Sequence, residues 1–203
     1  QLIAKALADA RNWDPKLTLS VNISPLQLRD PWFSQKLLKL LVEANFPPSR
    51  LEIEVTESCL HENIGLVRSM ITSLQNQGVQ VSLDDFGTGY SSLSQLRSLP
   101  FNRIKIDRSF VATVNDSAES ATIIQSIIAL GHGLGLPITA EGIETKEVLA
   151  TMRELGKFTG QGYLYGYPES ADDTEAELAQ LHLLLEVPSV ASAPGTAAIA
   201  LRA

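Results

Sequence analysis

In Val81-Ser82-Leu83-Asp84-Asp85-Phe86-Gly87-Thr88-Gly89, apolar and polar side chains alternate up to a pair of carboxylates, and two glycines follow at once. Alternation with period two marks a strand whose faces meet different surroundings. The same parity recurs in Leu19-Ser20-Val21-Asn22-Ile23, Ile53-Glu54-Val55, Ile104-Lys105-Ile106 and Ile138-Thr139-Ala140-Glu141, where one face is apolar and the other ends in a polar or charged group. An open doubly wound sheet, apolar on both faces, shows less of this. In a (β/α) barrel the apolar face packs on outer helices, and inward residues near the C-terminal strand ends line the active-site mouth.

Strand-like runs at 17–24, 51–57, 79–84, 103–107, 137–141 and, more weakly, 160–164 each precede a helical pattern. Asp30-Pro31 reads as an N-cap and first helical position before Phe33, Leu37, Leu40, Leu41 and Ala44. Ile64, Val67, Ile71 and Leu74 form a second stripe ended by Gly78, and Leu178, Leu181 and Leu185 read as a helix packed on the core. From Asn22 to Glu54, Asp84, Lys105, Glu141 and Gln161 the steps are 32, 30, 21, 36 and 20 residues, the length of βα units. The expected fold is α/β, a TIM-like (β/α) barrel that is incomplete, with about six βα units present and the first two missing. It is expected to occupy residues 1–186, with a disordered Ala/Ser/Pro-rich tail over 187–203. The start on Gln1, already within the helical spacing of Leu2, Ile3, Ala6, Leu7 and Ala10, agrees with missing N-terminal sequence.

The 203 residues carry 16 Lys+Arg against 23 Asp+Glu, a net charge of −7. An acidic chain without basic runs lacks the footprint of a DNA- or RNA-polymer binder. No run of ~18 apolar residues offers a membrane span. A single cysteine, Cys59, precludes an internal disulfide and points to a cytoplasmic setting, although a parent protein could be membrane-anchored through missing segments.

Brought together at strand ends, Asn22, Glu54, Asp84, Asp85, Lys105, Glu141 and Gln161 would form a cluster of four carboxylates, one ammonium and two amides. Empty, such a cluster repels itself. Its oxygen donors suit hard ions, Mg2+ or Mn2+, and adjacent carboxylates such as Asp84 and Asp85 can divide between two of them. Two such ions activate water and stabilise the attacking and leaving oxygens of a phosphodiester. They also attract an anionic substrate to an acidic protein. Lys105 and Asp107 share one parity, and an inward ammonium requires anionic neighbours. Glu57, three residues past Glu54, is placed to hydrogen-bond the glycine-containing loop.

Val21-Asn22-Ile23-Ser24-Pro25, Glu54-Val55-Thr56-Glu57-Ser58, the Asp84-to-Ser92 stretch, Lys105-Ile106-Asp107-Arg108-Ser109-Phe110, Ala140-Glu141-Gly142-Ile143-Glu144-Thr145 and Gln161-Gly162-Tyr163-Leu164 resemble, in order and spacing, the EAL-domain phosphodiesterases of bacterial cyclic di-GMP signalling. The resemblance implies hydrolysis of cyclic di-GMP to linear pGpG with Mg2+ or Mn2+, two ions. It implies that Asn22, Glu54, Asp84 and Asp85 are metal ligands, that Lys105 positions the attacking water, that Glu141 is a ligand or general base, and that Gln161 completes the pocket. Glu57 would anchor the loop, which in the family links the site to a dimer interface. A homodimer in the complete domain and an upstream sensor or cyclase domain are implied too. Two features depart from the family. The Glu-Ala-Leu motif is not in this sequence, and Gly166-Tyr167-Pro168-Glu169-Ser170 stands where a basic residue, Pro and an apolar residue are often found. Hydrolysis is therefore expected to be impaired in this chain, and a non-catalytic cyclic di-GMP receptor or docking module is the rival reading.

Other readings are weaker. Asp85-Phe86-Gly87 lacks the Gly-rich strand loop and His-Arg-Asp segment of a protein kinase. A Schiff-base role for Lys105 is opposed by surrounding carboxylates that keep it protonated. His61, His132 and His182 lack ligand spacing.

Overall fold

The computed structural model describes residues 1–61, 64–89 and 93–185. The domain limit expected at 186 and the tail expected over 187–203 lie outside the described residues, as do Tyr90, Ser91 and Ser92 of the loop. In chain order the elements are α1 (Leu2–Asp9), β1 (Leu19–Ile23), α2 (Pro25–Leu28), α3 (Phe33–Glu43), β2 (Leu51–Thr56), α4 (Ile64–Asn76), β3 (Gln80–Phe86), α5 (Leu93–Ser98), β4 (Arg103–Ile106), α6 (Arg108–Ala112), α7 (Ala118–Leu134), β5 (Ile138–Ala140), α8 (Lys146–Leu155), β6 (Thr159–Gly160) and α9 (Ala171–Gln180).

The six strands form one parallel sheet in sequence order, β1 to β6. Each step is a βα crossover to the adjacent strand, which generates a half-barrel, the incomplete TIM-like fold expected from the parity. Its edges are β1 and β6. Ile53, Val55, Val81, Leu83, Ile104, Ile106, Ile138 and Ala140 are buried in the layer beneath the helices. There they join Leu37 and Leu41 of α3, Ile71 and Leu74 of α4, and Ile124 of α7 in one apolar cluster. Each such Val, Leu or Ile side chain contributes roughly 1.5–3 kcal/mol of burial. The opposite face is polar throughout. Asn22 aligns with Glu54, Glu54 with Ser82, and Lys105 with Thr139, so inward groups form layers.

Local chemistry sets the element ends. Ser24 and Gln27 make a reciprocal capping box at α2, and Gly135, in the left-handed region at φ 69°, closes α7. Arg50 ties the chain before β1 to β2: its Nε donates to the Leu17 carbonyl at 2.9 Å and its Nη2 to that of Ala10 at 3.2 Å.

Three expectations are corrected. Asp30 is not the cap of α3; its carboxylate accepts from the Trp32 N–H at 2.9 Å, in a turn that delays the helix to Phe33. The strand expected over 160–164 ends at Gly160, because Gly162 (φ 150°) turns the chain against Ile143. The Leu178-to-Leu185 stripe is not helix core. α9 buries none of its residues, and Leu181 and Leu185 are exposed. His182, at φ 57°, breaks the helical course, and the Leu183 carbonyl and Leu185 N–H then pair with Asp14 and Asn12.

Candidate active site

Parallel strands deliver their inward side chains to one rim. Glu54 comes from β2, Asp84 from β3, Lys105 from β4 and Glu141 from the residue after β5. One carboxylate oxygen from each of Glu54, Asp84 and Glu141 lies within 4.8 Å of the others. The Lys105 ammonium stands among them, 2.7 Å from Glu54 Oε2, 2.5 Å from Glu141 Oε1 and 3.4 Å from Asp84 Oδ1. Glu54, Asp84 and Lys105 are buried.

Three carboxylates against one ammonium leave an excess of two negative charges where water is scarce. Burial alone would lower the pKa of Lys105; hydrogen bonds to Glu141 and Glu54 and the charge of Asp84 outweigh it, and the pKa lies well above its ordinary value. Lys105 is thus a permanent donor and a poor nucleophile. Burial raises the pKa of Glu141 above its ordinary value, against the opposing hydrogen bond from Lys105 and with further upward pressure from Asp84 and Glu54. Asp84 Oδ1 is buried and has no hydrogen-bond partner; Lys105 attracts it without bonding to it. A buried carboxylate oxygen of this kind fits a divalent cation, which supplies both the missing contact and the missing charge.

The other expected residues stand at different distances from this centre. Asn22 aligns with Glu54 across β1 and β2 and is exposed. Asp85 follows Asp84 at φ 55°, where the register of β3 shifts, and its carboxyl hydrogen-bonds to Asp107 rather than joining the acidic trio. Burial, with the charges of Asp84 and Asp107, raises the pKa of Asp85. Asp107 caps α6 by accepting from the Ser109 N–H at 2.9 Å. Gln161 is exposed and shares a cavity of about 180 Å³ with Glu141, Arg108, Glu144 and Tyr163.

Glu57, the residue just past the end of β2, is 2 % exposed. Its Oε2 accepts from the N–H groups of Gly87 at 3.0 Å and Gly89 at 3.1 Å. A Cβ on Gly89 would come within 3.0 Å of that carboxylate, so glycine is what admits the contact. Glu57→Ala is expected to speed hydrogen exchange at the Gly87 and Gly89 amides by about 5- to 150-fold, matching roughly 1–3 kcal/mol for acceptors lost to part-buried donors. Mass spectrometry of the exchanged peptide checks this; unchanged protection would show that the loop holds itself.

A lower interior layer was not singled out from the sequence. Arg103 Nε lies 3.3 Å from Glu52 Oε1, and its Nη1 donates to Thr139 Oγ1 at 3.1 Å. The signal was present, since 52 and 54, and 103 and 105, share strand parity. A larger cavity, about 780 Å³, opens near Pro137, Ile138 and Thr159 at the N-terminal strand ends, and no carboxylate lines it. Barrel chemistry belongs to the opposite end.

Comparison with known proteins bears on this rim. A family model described as the EAL domain matches residues 1–168. Cyclic di-GMP phosphodiesterase PdeR of Escherichia coli K12 is 38% identical over 169 residues, covering 83% of this chain and 26% of that protein. The chain spans about a quarter of the length of the curated relatives it matches. Among solved structures, the EAL domain of Mycobacterium smegmatis DcpA aligns with TM-score 0.82 at 36% identity, over 88% of this chain and 82% of that one. A manganese/cy-diGMP complex of Klebsiella pneumoniae BlrP1 aligns with TM-score 0.74 at 30% identity, over 80% and 42%.

Proposed function

This chain belongs to the EAL domain family, and from that premise we propose that it carries out metal-dependent hydrolysis of cyclic di-GMP to linear pGpG at the rim formed by Glu54, Asp84, Lys105 and Glu141. The observation that carries the reading is the acidic trio around one ammonium, with Asp84 Oδ1 buried and unbonded. Relatives named for this activity and a relative solved with manganese and cyclic di-GMP support it.

Glu54 and Asp84 would hold the cation, Mg2+ or Mn2+, with Asn22 beside Glu54 and Asp85 available by exchanging its hydrogen bond with Asp107 for a second ion. The bound ions supply Lewis-acid activation of water and stabilise charge on the phosphodiester. The chain's own groups do the rest. Lys105, fixed on two sides by Glu54 and Glu141, points a charged donor at the rim and positions the attacking water. Glu141, whose proton affinity is raised, serves as a ligand or as the acceptor of that water's proton. Gln161 closes the pocket as an uncharged hydrogen-bonding wall. Glu57 holds the loop that continues from Asp85. Turnover is expected to fall below that of a complete barrel, because no Glu-Ala-Leu is present to add its carboxylate. The homodimer and an upstream sensor or cyclase domain belong to the same proposal, as does a cytoplasmic site of action. No helix among the described residues is long and apolar enough to cross a membrane.

Incubation with cyclic di-GMP and Mn2+, followed by chromatography, tests the reading: pGpG is expected, and EDTA is expected to stop its formation. Ca2+ is expected to support binding and inhibit hydrolysis, because its longer and looser coordination holds the donors less strictly. Calorimetry showing no binding of cyclic di-GMP with Mn2+ or Ca2+ would overturn the proposal. Binding with either ion but no pGpG would mark a receptor in place of an enzyme.

A further inference from the structure

We infer that the cavity of about 780 Å³ between α7 and the turn joining α8 to β6 binds a medium-chain carboxylate, its alkyl chain on an apolar floor and its head group against Lys157. This site is separate from the acidic rim. The cavity opens at Ile138, the first residue of β5, whereas Glu141 follows the other end of that strand, so the two can be filled together.

Burial sorts the lining into a floor and a mouth. Ile128 and Ile138 are buried, and Leu136, Leu155 and Phe158 are half-buried around them. Lys157 and His132 are exposed. The volume falls within the roughly 300–1,000 Å³ of small-ligand sites, which combine an apolar body with a few polar groups. Two close approaches fix the walls. A Cβ on Gly131 would overlap the Ile138 side chain, and one on Gly156 would lie 2.7 Å from Ile128 Cγ2, so α7 already rests on β5 and on the end of α8 as closely as backbone allows. The walls cannot close further, and an apolar cavity that cannot collapse takes up apolar ligands.

Charge selects the head group. The chain carries a net charge of −7, yet Lys157 is the one formally charged side chain on this lining. Among the described residues it makes no ion pair. Carbonyls at the end of α7 would repel an anion, but the Gly135 N–H donates to that of His132 at 3.2 Å and the Leu136 N–H to that of Gly131 at 2.8 Å. His132 and Thr159, on the same lining, bring further donors. A single cation at the mouth of an apolar floor matches a monoanion with an alkyl tail.

Calorimetric titration with decanoate and with decyltrimethylammonium, both below their micellar concentrations, tests this, with amide chemical shifts to locate the site. Decanoate is expected to bind in preference to the cation, although a net charge of −7 favours the cation over the surface at large. The shifts are expected to concentrate at Gly135, Lys157 and Thr159. Lys157→Glu is expected to weaken decanoate by about 2- to 30-fold, through the loss of one exposed ion pair and the gain of a similar repulsion. Lys157 is exposed, so the substitution leaves the packed layers alone. Ala129→Trp, which fills the cavity from an exposed helical position, is expected to abolish binding. Absence of decanoate binding to the wild-type chain, equal decanoate affinity in Lys157→Glu, or shifts confined to other parts of the surface would overturn the site. None of these results bears on hydrolysis at the rim.

Discussion

Glu54→Gln is expected to lower cyclic di-GMP hydrolysis by about 10³-fold or more. The amide keeps the side chain's size and removes the charge that shares the rim with Asp84 and Glu141. A cation contributes several kcal/mol of transition-state stabilisation, and each 1.36 kcal/mol is a factor of ten. The amide oxygen can still accept from Lys105 Nζ, now 2.7 Å from a carboxylate oxygen, but that bond loses the charge on its acceptor. Asp84→Asn is expected to act alike, because its buried Oδ1 has no hydrogen bond to keep it in place once the charge is gone. Initial rates at saturating Mn2+ check both, and electron paramagnetic resonance titration of free Mn2+ gives a readout independent of turnover. Rates within about threefold of wild type, with unchanged Mn2+ affinity, would remove Glu54 and Asp84 from the site.

Lys105→Met is expected to cost about 3–5 kcal/mol of stability in the metal-free protein, the typical penalty for stripping a buried charge of its partner. Methionine fills the space of the stem; the three carboxylates then face each other unneutralised. The loss is expected to be smaller in Mn2+, because a divalent ion replaces the missing positive charge. It is also expected to shrink in acid. A carboxyl whose folded pKa lies above its unfolded value, as for Glu141, penalises folding in full above the folded value, and the penalty fades as pH falls from there to the unfolded one. Urea denaturation at pH 7 with and without Mn2+, and at pH 5, measures all three effects. Equal midpoints for wild type and variant at pH 7 without metal would show that the carboxylates hold each other's protons and need no ammonium.

Strand parity was enough to gather Glu54, Asp84, Lys105 and Glu141, because side chains two apart on parallel neighbours must share a face and their C-terminal ends must share a rim. Asp85 was harder. Adjacent aspartates read as twin donors, whereas a left-handed backbone at Asp85 sends the second carboxyl to Asp107, and no pattern of residue types announces a φ of 55°. The Leu178 stripe failed for a related reason: a single turn at His182 ends a helix that periodicity alone would have continued.

Among the described residues, the buried aliphatic side chains of the strands lie between sheet and helices, while the concave face carries Glu52, Arg103, Ser82 and Thr139 beneath the rim. Most of the apolar burial that stabilises the fold therefore comes from side chains other than those of the rim, while Lys105 serves both. Substitutions among the rim's polar groups other than Lys105 can therefore change the chemistry there and leave the apolar layer between sheet and helices as it is.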